Sequence, residues 1–228
     1  MSNRYEPSTY EAWYHTPRGA WIGDVEFAMM MKLLRPEMGG TLLDVGSGTG
    51  YFSRRFSASG LRVTGIDPDI AMLQHVNRAP GSVTYAEGSA ESLPFADQSF
   101  DYVAAVTSLC FVNSPMSALD AMWRVAKHGM ILGLLNSASL LYRRNHGQGA
   151  YAGARWDTVG DVQRWVRVLS PVPVRLQWRT AIFLPDGSPS ARLMERLLPS
   201  WLPWGGFLAV HLQKPAWKEA SVCTPRGK

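Results

Sequence analysis

The residues with the most chemical content are Asp44, Gly46, Ser47, Gly48 and Gly50, within the run Leu-Leu-Asp-Val-Gly-Ser-Gly-Thr-Gly-Tyr-Phe-Ser of residues 42–53. The pattern reads as a buried strand over 41–45, three alternating glycines, and the start of a helix. Glycines leave room for a ligand to lie almost against the backbone. A helix opening behind them offers free N–H groups and the positive end of its dipole. Such a loop is a ligand cradle, and its spacing narrows the ligand. A dinucleotide fingerprint, Gly-x-Gly-x-x-Gly, would need glycine where Tyr51 stands. A Walker A loop would need a Lys-Ser/Thr pair that is absent.

Two further segments follow at useful distances. Residues 62–67 read as a second strand ending in Asp67, a carboxylate able to accept both hydroxyls of a ribose, with Pro68 opening the next helix. Capping that helix is the alternative role for Asp67, and agreement with the glycine loop favours the ribose. Residues 88–103 read Gly-Ser-Ala-Glu-Ser-Leu-Pro-Phe-Ala-Asp-Gln-Ser-Phe-Asp-Tyr-Val.

The loop Asp44-x-Gly46-x-Gly48-x-Gly50 resembles motif I of class I S-adenosylmethionine-dependent methyltransferases. Leu93-Pro94-Phe95, Asp97, Ser99-Phe100-Asp101 and Val103 resemble the branch that includes the ubiquinone and menaquinone C-methyltransferases. The resemblance covers roughly residues 40–135. It implies S-adenosylmethionine as cofactor, held by Asp44, Gly46, Ser47, Gly48, Gly50, Asp67 and Pro68, with Ser89 and Ala90 at the adenine and Thr107 at the exit of strand four. The family usually has Asp where this chain has Ser89. Residues 93–101 are expected to be architectural.

A sulfonium methyl is already activated, so its transfer needs mainly an in-line nucleophile and excluded water, which proximity and orientation supply. A general base matters only for an acceptor protonated near neutrality. His15 and His146 are the candidate bases, each also readable as a surface histidine. Tyr14, Arg18, Cys110, Asn113, Asn136 and Tyr142 are the candidate acceptor-binding residues, with Tyr5, Tyr14 and Arg18 able to close over the methionine end. Strand four exits into Thr107-Ser-Leu-Cys110, not the Asn/Asp-Pro-Pro-aromatic of nucleobase and glutamine methyltransferases. Cys110 and Cys223, 113 positions apart, offer neither the cysteine set of arsenite methylation nor metal-ligand spacing. The favoured partner is a small or lipid-like acceptor, apolar or aromatic, and no metal is expected.

The elements that must position these residues follow from periodicity. Residues 7–35 read as one or two helices broken near 17–19, and strands four and five as 101–107 and 129–135. Helices are expected from the 113–115 cap, over 158–169, and over 188–198, with strands over 172–183 and 206–212. Strands alternating with helices predict an α/β fold. That fold is a doubly wound, seven-stranded, mostly parallel sheet with an antiparallel final pair. One domain is expected over 1–214: an N-terminal helical cap (1–38), a cofactor core (39–135), a lid loop (136–157) and the remaining sheet (158–214). Residues 215–228 read as a flexible tail. The lid segment alternates glycine with aromatic and basic residues, the alternative being a short helix over 139–144.

Charge is uneven. Residues 1–120 carry 8 basic and 13 acidic side chains, and residues 121–228 carry 15 and 5. The basic half fits a solvated arginine-rich face, an anionic substrate, an acidic membrane surface or RNA. No RNA-binding module is recognisable, so nucleic acid is disfavoured. Leu193, Leu197, Leu198, Trp201, Leu202, Trp204 and Phe207, with Arg192 and Arg196, make 190–210 compatible with a membrane-interface helix. A helix packed on the sheet or in a dimer is preferred, leaving monomer and homodimer both open. No apolar run approaches the ~18 residues of a spanning helix, no signal peptide is recognisable, and a reducing cytoplasm is expected. An RNA or protein methyltransferase and a non-catalytic S-adenosylmethionine-binding protein are the alternatives; glycine spacing opposes a nicotinamide dehydrogenase.

Overall fold

Strand β1 (Thr41–Val45) lies inside a seven-stranded sheet, and its Leu42, Leu43 and Val45 have no solvent exposure. A computed structural model describes residues 6–76 and 83–215 of the chain. Tyr5, Cys223 and residues 216–228 of the expected tail lie outside the described residues. The chain opens with helices α1 (Pro7–Tyr14) and α2 (Pro17–Leu34), each with proline in its first turn, where the missing N–H costs nothing. Thr16 stops one helix and caps the other, its hydroxyl accepting the Gly19 N–H at 3.0 Å.

Past β1 come α3 (Tyr51–Ala58), β2 (Arg62–Asp67), α4 (Ile70–Val76), β3 (Thr84–Glu87) and β4 (Phe100–Val106). Then follow α5 (Pro115–Val125), β5 (Ala126–Leu135), α6 (Leu140–Asn145), α7 (Val159–Val166), β6 (Arg175–Ala181), α8 (Pro189–Leu197) and β7 (Phe207–Gln213). The sheet order is β3-β2-β1-β4-β5-β7-β6. The first five strands are parallel, and β7 runs antiparallel to both β5 and β6. The expected doubly wound sheet with an antiparallel final pair is the observed one. Strand order reverses between β1 and β4, so the crevice at their carboxyl ends is where this architecture accommodates ligands.

Two apolar clusters cover the two faces. One joins α5 to the sheet through Leu119, Met122 and Trp123; the other joins α1, α2 and α3 through Tyr14, Met30 and Phe56. The buried side of α5, Ala118, Leu119, Met122 and Val125, is the stripe its helical spacing predicts. Residues 93–101 are architectural. Arg124 donates to the carbonyls of Phe95 (2.7 Å) and Leu93 (3.0 Å), and Asp101 accepts the Thr41 N–H at 2.8 Å. Among the described residues no helix is long and apolar enough to cross a membrane.

Candidate active site

The three glycines after β1 serve three different ends. Gly46 has φ +73°, and a Cβ there would lie 2.4 Å from that of Ser108, whose hydroxyl donates to the Val45 carbonyl at 2.7 Å. Glycine at this position lets the exit of β4 close onto β1. Gly50 has φ +76°, and a Cβ would lie 2.2 Å from the Tyr85 hydroxyl, so it serves the packing of α3 against β3. Gly48 differs. It too has positive φ, +54°, but the nearest atom to its Cβ position is Tyr10 Cε1 at 4.0 Å. Its face is open toward the crevice, with Tyr10 across the gap.

The loop is held from below. The Gly46 and Ser47 N–H groups both donate to the Ile66 carbonyl, at 2.8 and 3.1 Å. Asp67 Oδ2 accepts the Gly48 N–H at 2.8 Å, and Oδ1 accepts the Asp69 N–H at 2.9 Å. Burial raises the Asp67 pKa, against the pull of those two N–H groups. Asp67 thus closes the helix entry and supports the loop with the same carboxylate. Asp44 is buried beneath, accepting the Ser53 hydroxyl at 2.5 Å, and burial pushes it up to about 6. Pro68 is exposed, and Ser89 and Ala90 are half-buried at the end of β3, where Ser89 Oγ accepts the Glu91 N–H at 3.2 Å. Thr107, one residue past β4, takes φ +48°, an uncommon and strained conformation for a β-branched residue. Its N–H donates to the Gly133 carbonyl at 2.8 Å.

Above the loop stands an aromatic wall. Tyr14 stacks on Tyr51 with centroids 3.7 Å apart, and Tyr10 meets Tyr14 edge-on at 5.5 Å with the hydroxyls 3.2 Å apart. Burial pushes the Tyr10 hydroxyl up to about 12, with Glu26 and Cys110 adding to the rise and Thr107 opposing it. These residues therefore share one environment spanning α1, α2 and the exit of β4. Cys110 is buried, its thiol donating to the Thr107 carbonyl at 3.1 Å.

The other candidate residues do not converge there. Asn136 is 1% exposed and structurally saturated. Its amide donates to the Pro203 and Gly205 carbonyls, both at 2.7 Å, and its Oδ1 accepts the Ala138 N–H at 3.1 Å. It binds the 203–205 turn rather than a substrate. Arg18 is exposed, with its stem against Gly187, and Asn113 is exposed just before α5. Tyr142 packs on His146 and Trp156, at 4.6 and 5.3 Å between ring centroids. His15 is exposed at the end of α1, 4.0 Å from Glu11, and His146 is exposed after α6. Neither histidine belongs to the aromatic wall.

Residues 136–157 contain α6, realising the short-helix alternative, and a 3-10 turn over Gly149–Tyr151. A bridge from Asn136 to Asp157 ties its two ends together. In the 190–210 segment, Ala191 is the buried residue of α8, whereas Leu193, Leu197, Trp201 and Trp204 are 56–67% exposed. The sheet does not cover those four side chains, which leaves burial in a dimer and a membrane interface as the readings for them. A groove of about 690 Å³ lies between α2 and strands β6 and β7, bordered by Lys32 of α2 and by Arg175, Arg179 and His211 of the basic half. No residue of the glycine loop borders it.

Tyr10, Tyr51, Ser108 and Glu26 are the residues that sequence reading passed over. Glu26 had a visible signal: it is the acidic member of an apolar stripe at helical spacing, Ile22, Gly23, Glu26, Met30, Leu33.

The loop fits a nucleoside-bearing cofactor. Besides the open face of Gly48 and the Asp67 carboxylate, it holds two buried hydroxyls, Ser47 Oγ and Thr49 Oγ1, without hydrogen-bond partners among the described residues. Buried polar groups ordinarily find partners, so such atoms in a glycine loop indicate a polar ligand.

Known proteins agree with this geometry. A family profile described as a methyltransferase domain matches residues 43–133. A malonyl-[acyl-carrier protein] O-methyltransferase from Erwinia pyrifoliae is 38% identical over 100 residues, 44% of this chain and 38% of that protein. A demethylmenaquinone methyltransferase from Renibacterium salmoninarum is 41% identical over 91 residues, 40% of this chain and 38% of that protein. The matched segment thus spans under two fifths of either relative. The crystal structure of an S-adenosylmethionine-dependent methyltransferase and possible histamine N-methyltransferase from Thermotoga maritima is similar throughout. It has 25% identity and a TM-score of 0.70, with 91% of this chain and 95% of that one covered.

Proposed function

Residues 43–133 are a methyltransferase domain of the class I S-adenosylmethionine-dependent kind, and from that premise we propose that the chain methylates a small apolar or aromatic acceptor. The observation that carries this reading is the open face of Gly48, set between the Asp67 carboxylate and Tyr10 at the carboxyl ends of β1 and β2. Asp67 would hold the ribose hydroxyls, the 46–50 loop the methionine portion, and the 88–90 turn the adenine. When bound, S-adenosylmethionine supplies a methyl group already activated by its sulfonium charge.

The protein's own contribution is placement and desolvation. Ser108 over Gly46 fixes the rim of β4 against the loop, and Thr107 carries the strain of that turn. Tyr10 would present its ring to the open face of Gly48, backed by Tyr14 and, through Tyr14, by Tyr51, and would help keep water from the acceptor's approach. Holding two reactants in near-attack geometry can supply roughly 7–11 kcal/mol of the barrier.

Calorimetric titration with S-adenosylhomocysteine, with NADH as control, tests the reading. Selective binding of the thioether supports it, and failure of folded protein to bind it defeats it. A lipid-like acceptor is the second reading, favoured by exposed Leu193, Leu197, Trp201 and Trp204 beside Arg192 and Arg196. It predicts sedimentation with phosphatidylserine vesicles but not with phosphatidylcholine.

A further inference from the structure

The groove between α2 and strands β6 and β7 opens on the sheet face that α2 covers, apart from the glycine loop. Side chains alternate along a strand, so neighbours fix which residues face it. On β7, Phe207 and Ala209 join the apolar cluster of α1, α2 and α3, whereas Leu208, Val210 and Leu212 join the opposite one. His211 is next on the α2 face. On β6, Ala181 belongs to that face and Leu176 and Trp178 pack on the other, which turns Arg175, Gln177 and Arg179 toward α2.

Strand pairing brings these polar residues together. Gln177 stands directly opposite His211 in the antiparallel register, and Arg175 and Arg179 are the diagonal neighbours of His211 on the same face. Such neighbours lie roughly 7–8 Å apart, a span that arginine side chains can close around one ligand group. Lys32 borders the groove from α2.

His211 is 8% exposed, and its Nδ1 is buried without a hydrogen-bond partner among the described residues. Buried polar groups ordinarily have partners, so an unpartnered imidazole on the wall of a cavity indicates a polar ligand. Burial, with Arg175 nearby, holds His211 down to about 4, so the ring is neutral near neutrality and acts by hydrogen bonding. Positive charge comes from its neighbours. The exposed side chains of Arg175 and Lys32 have no hydrogen bond or ion pair with any described residue, and Arg179 donates to the adjacent Trp178 carbonyl at 2.7 Å. Two carboxylates also border the groove. Glu195 is held by the Ile182 and Phe183 N–H groups, at 2.9 and 3.1 Å, and Glu37 is exposed. Against them stand the four cations Lys32, Arg35, Arg175 and Arg179. Val25, Met29 and Leu33 of α2 supply an apolar wall. The volume, about 690 Å³, falls within the roughly 300–1,000 Å³ usual for small-molecule sites.

We propose that this groove is a second ligand site, taking an amphipathic organic anion whose carboxylate or phosphate head meets Arg175, Arg179 and His211 while its apolar body lies along α2. Arginine binds both head groups through paired N–H donors. An inorganic anion would leave the apolar wall unused, and an uncharged amphiphile would leave the arginines without a partner. The site requires neither methyl transfer nor an occupant of the glycine loop.

The test titrates the full chain calorimetrically with octanoate, octyl phosphate, 1-octanol and inorganic phosphate. One-to-one binding of octanoate or octyl phosphate, at least tenfold tighter than that of the other two probes, is expected, and the tighter of the pair identifies the head group. Arg175→Gln/Arg179→Gln alters two exposed side chains, so it should melt like wild type and bind the preferred anion at least tenfold more weakly. His211→Phe keeps a flat ring without the unpartnered nitrogen and should weaken the anion but not 1-octanol. Both variants should bind S-adenosylhomocysteine like wild type. The proposal is overturned if neither organic anion binds, if 1-octanol binds as tightly, or if inorganic phosphate does, which would mean an adventitious ion only. Anion affinity that survives in the double arginine variant also overturns it, as does competition between octanoate and S-adenosylhomocysteine, which would place the anion in the crevice. Anion binding by a wild type that fails to bind S-adenosylhomocysteine would uphold this site and defeat the methyltransferase reading alone.

Discussion

The carboxylate of Asp67 accepts the backbone N–H of Gly48 at 2.8 Å, joining the last residue of β2 to the middle of the loop that follows β1. One side chain therefore shapes the loop and faces the crevice, with its second oxygen holding the Asp69 N–H at 2.9 Å. Asp67→Ala should remove two charge-assisted bonds, each worth roughly 1.5–3 kcal/mol. We expect S-adenosylhomocysteine affinity to fall at least tenfold, measured by calorimetry. Wild-type affinity in this variant would remove Asp67 from the cofactor site.

Gly48 and Gly50 should separate binding from stability. At Gly48 a side chain enters open crevice, so Gly48→Val should abolish S-adenosylhomocysteine binding in a folded protein, with about 1–3 kcal/mol of backbone strain. At Gly50 even alanine meets the Tyr85 hydroxyl at 2.2 Å, so Gly50→Ala should act first on the fold. A melting temperature lower than that of Gly48→Val is the expected result for Gly50→Ala.

His15 and His146 are both exposed and outside the aromatic wall. His15→Ala and His146→Ala should leave turnover within twofold of wild type once an acceptor is in hand. A tenfold loss in either would restore that histidine as a base.

Glu26 makes stability depend on pH in a definite sense. Its folded pKa, about 8, lies above the ordinary 4.5, so the folded chain keeps a proton that the unfolded chain gives up. Stability is full below about pH 4.5 and is lost as pH rises through 8, by a few kcal/mol. Glu26→Gln lacks this loss. Its melting temperature should match wild type near pH 4.5 and exceed it increasingly toward pH 8; parallel melting curves across that window would contradict the buried carboxylate.

Asn136→Ala should cost stability rather than acceptor affinity. It orphans the Pro203 and Gly205 carbonyls, at roughly 1–3 kcal/mol for each buried group left unpaired. A lowered melting temperature with unchanged S-adenosylhomocysteine affinity is expected.

Much of the fold was legible in the chain itself. The run Thr41–Val45 is a short strand, rich in leucine and valine, that stops at a glycine, and Arg62–Asp67 is a second that ends in a carboxylate. Prolines 7, 17, 115 and 189 each stand in the first turn of a helix, a local rule that needs no tertiary partner. The cofactor loop was legible for the same reason, because a glycine requirement is set by backbone angles within a few residues. Boundaries were less so: β5 begins at Ala126 rather than 129, since the pairing of Ala126 with Phe100 of β4 extends it past its apolar run.

Which polar side chains are occupied was decided only in three dimensions. Asn136 reads as a pocket residue from its place after β5, yet chain segments almost seventy residues later occupy its amide. Glu26 reads as one acidic residue in a helix, and only the packing of α1 and α3 shows that it is buried without a counter-ion among the described residues. Local chemistry wrote the strands, the helix starts and the glycine loop into the sequence. Charge balance and solvent access depend on distant segments that converge only when the sheet is assembled, and tertiary structure alone sets them.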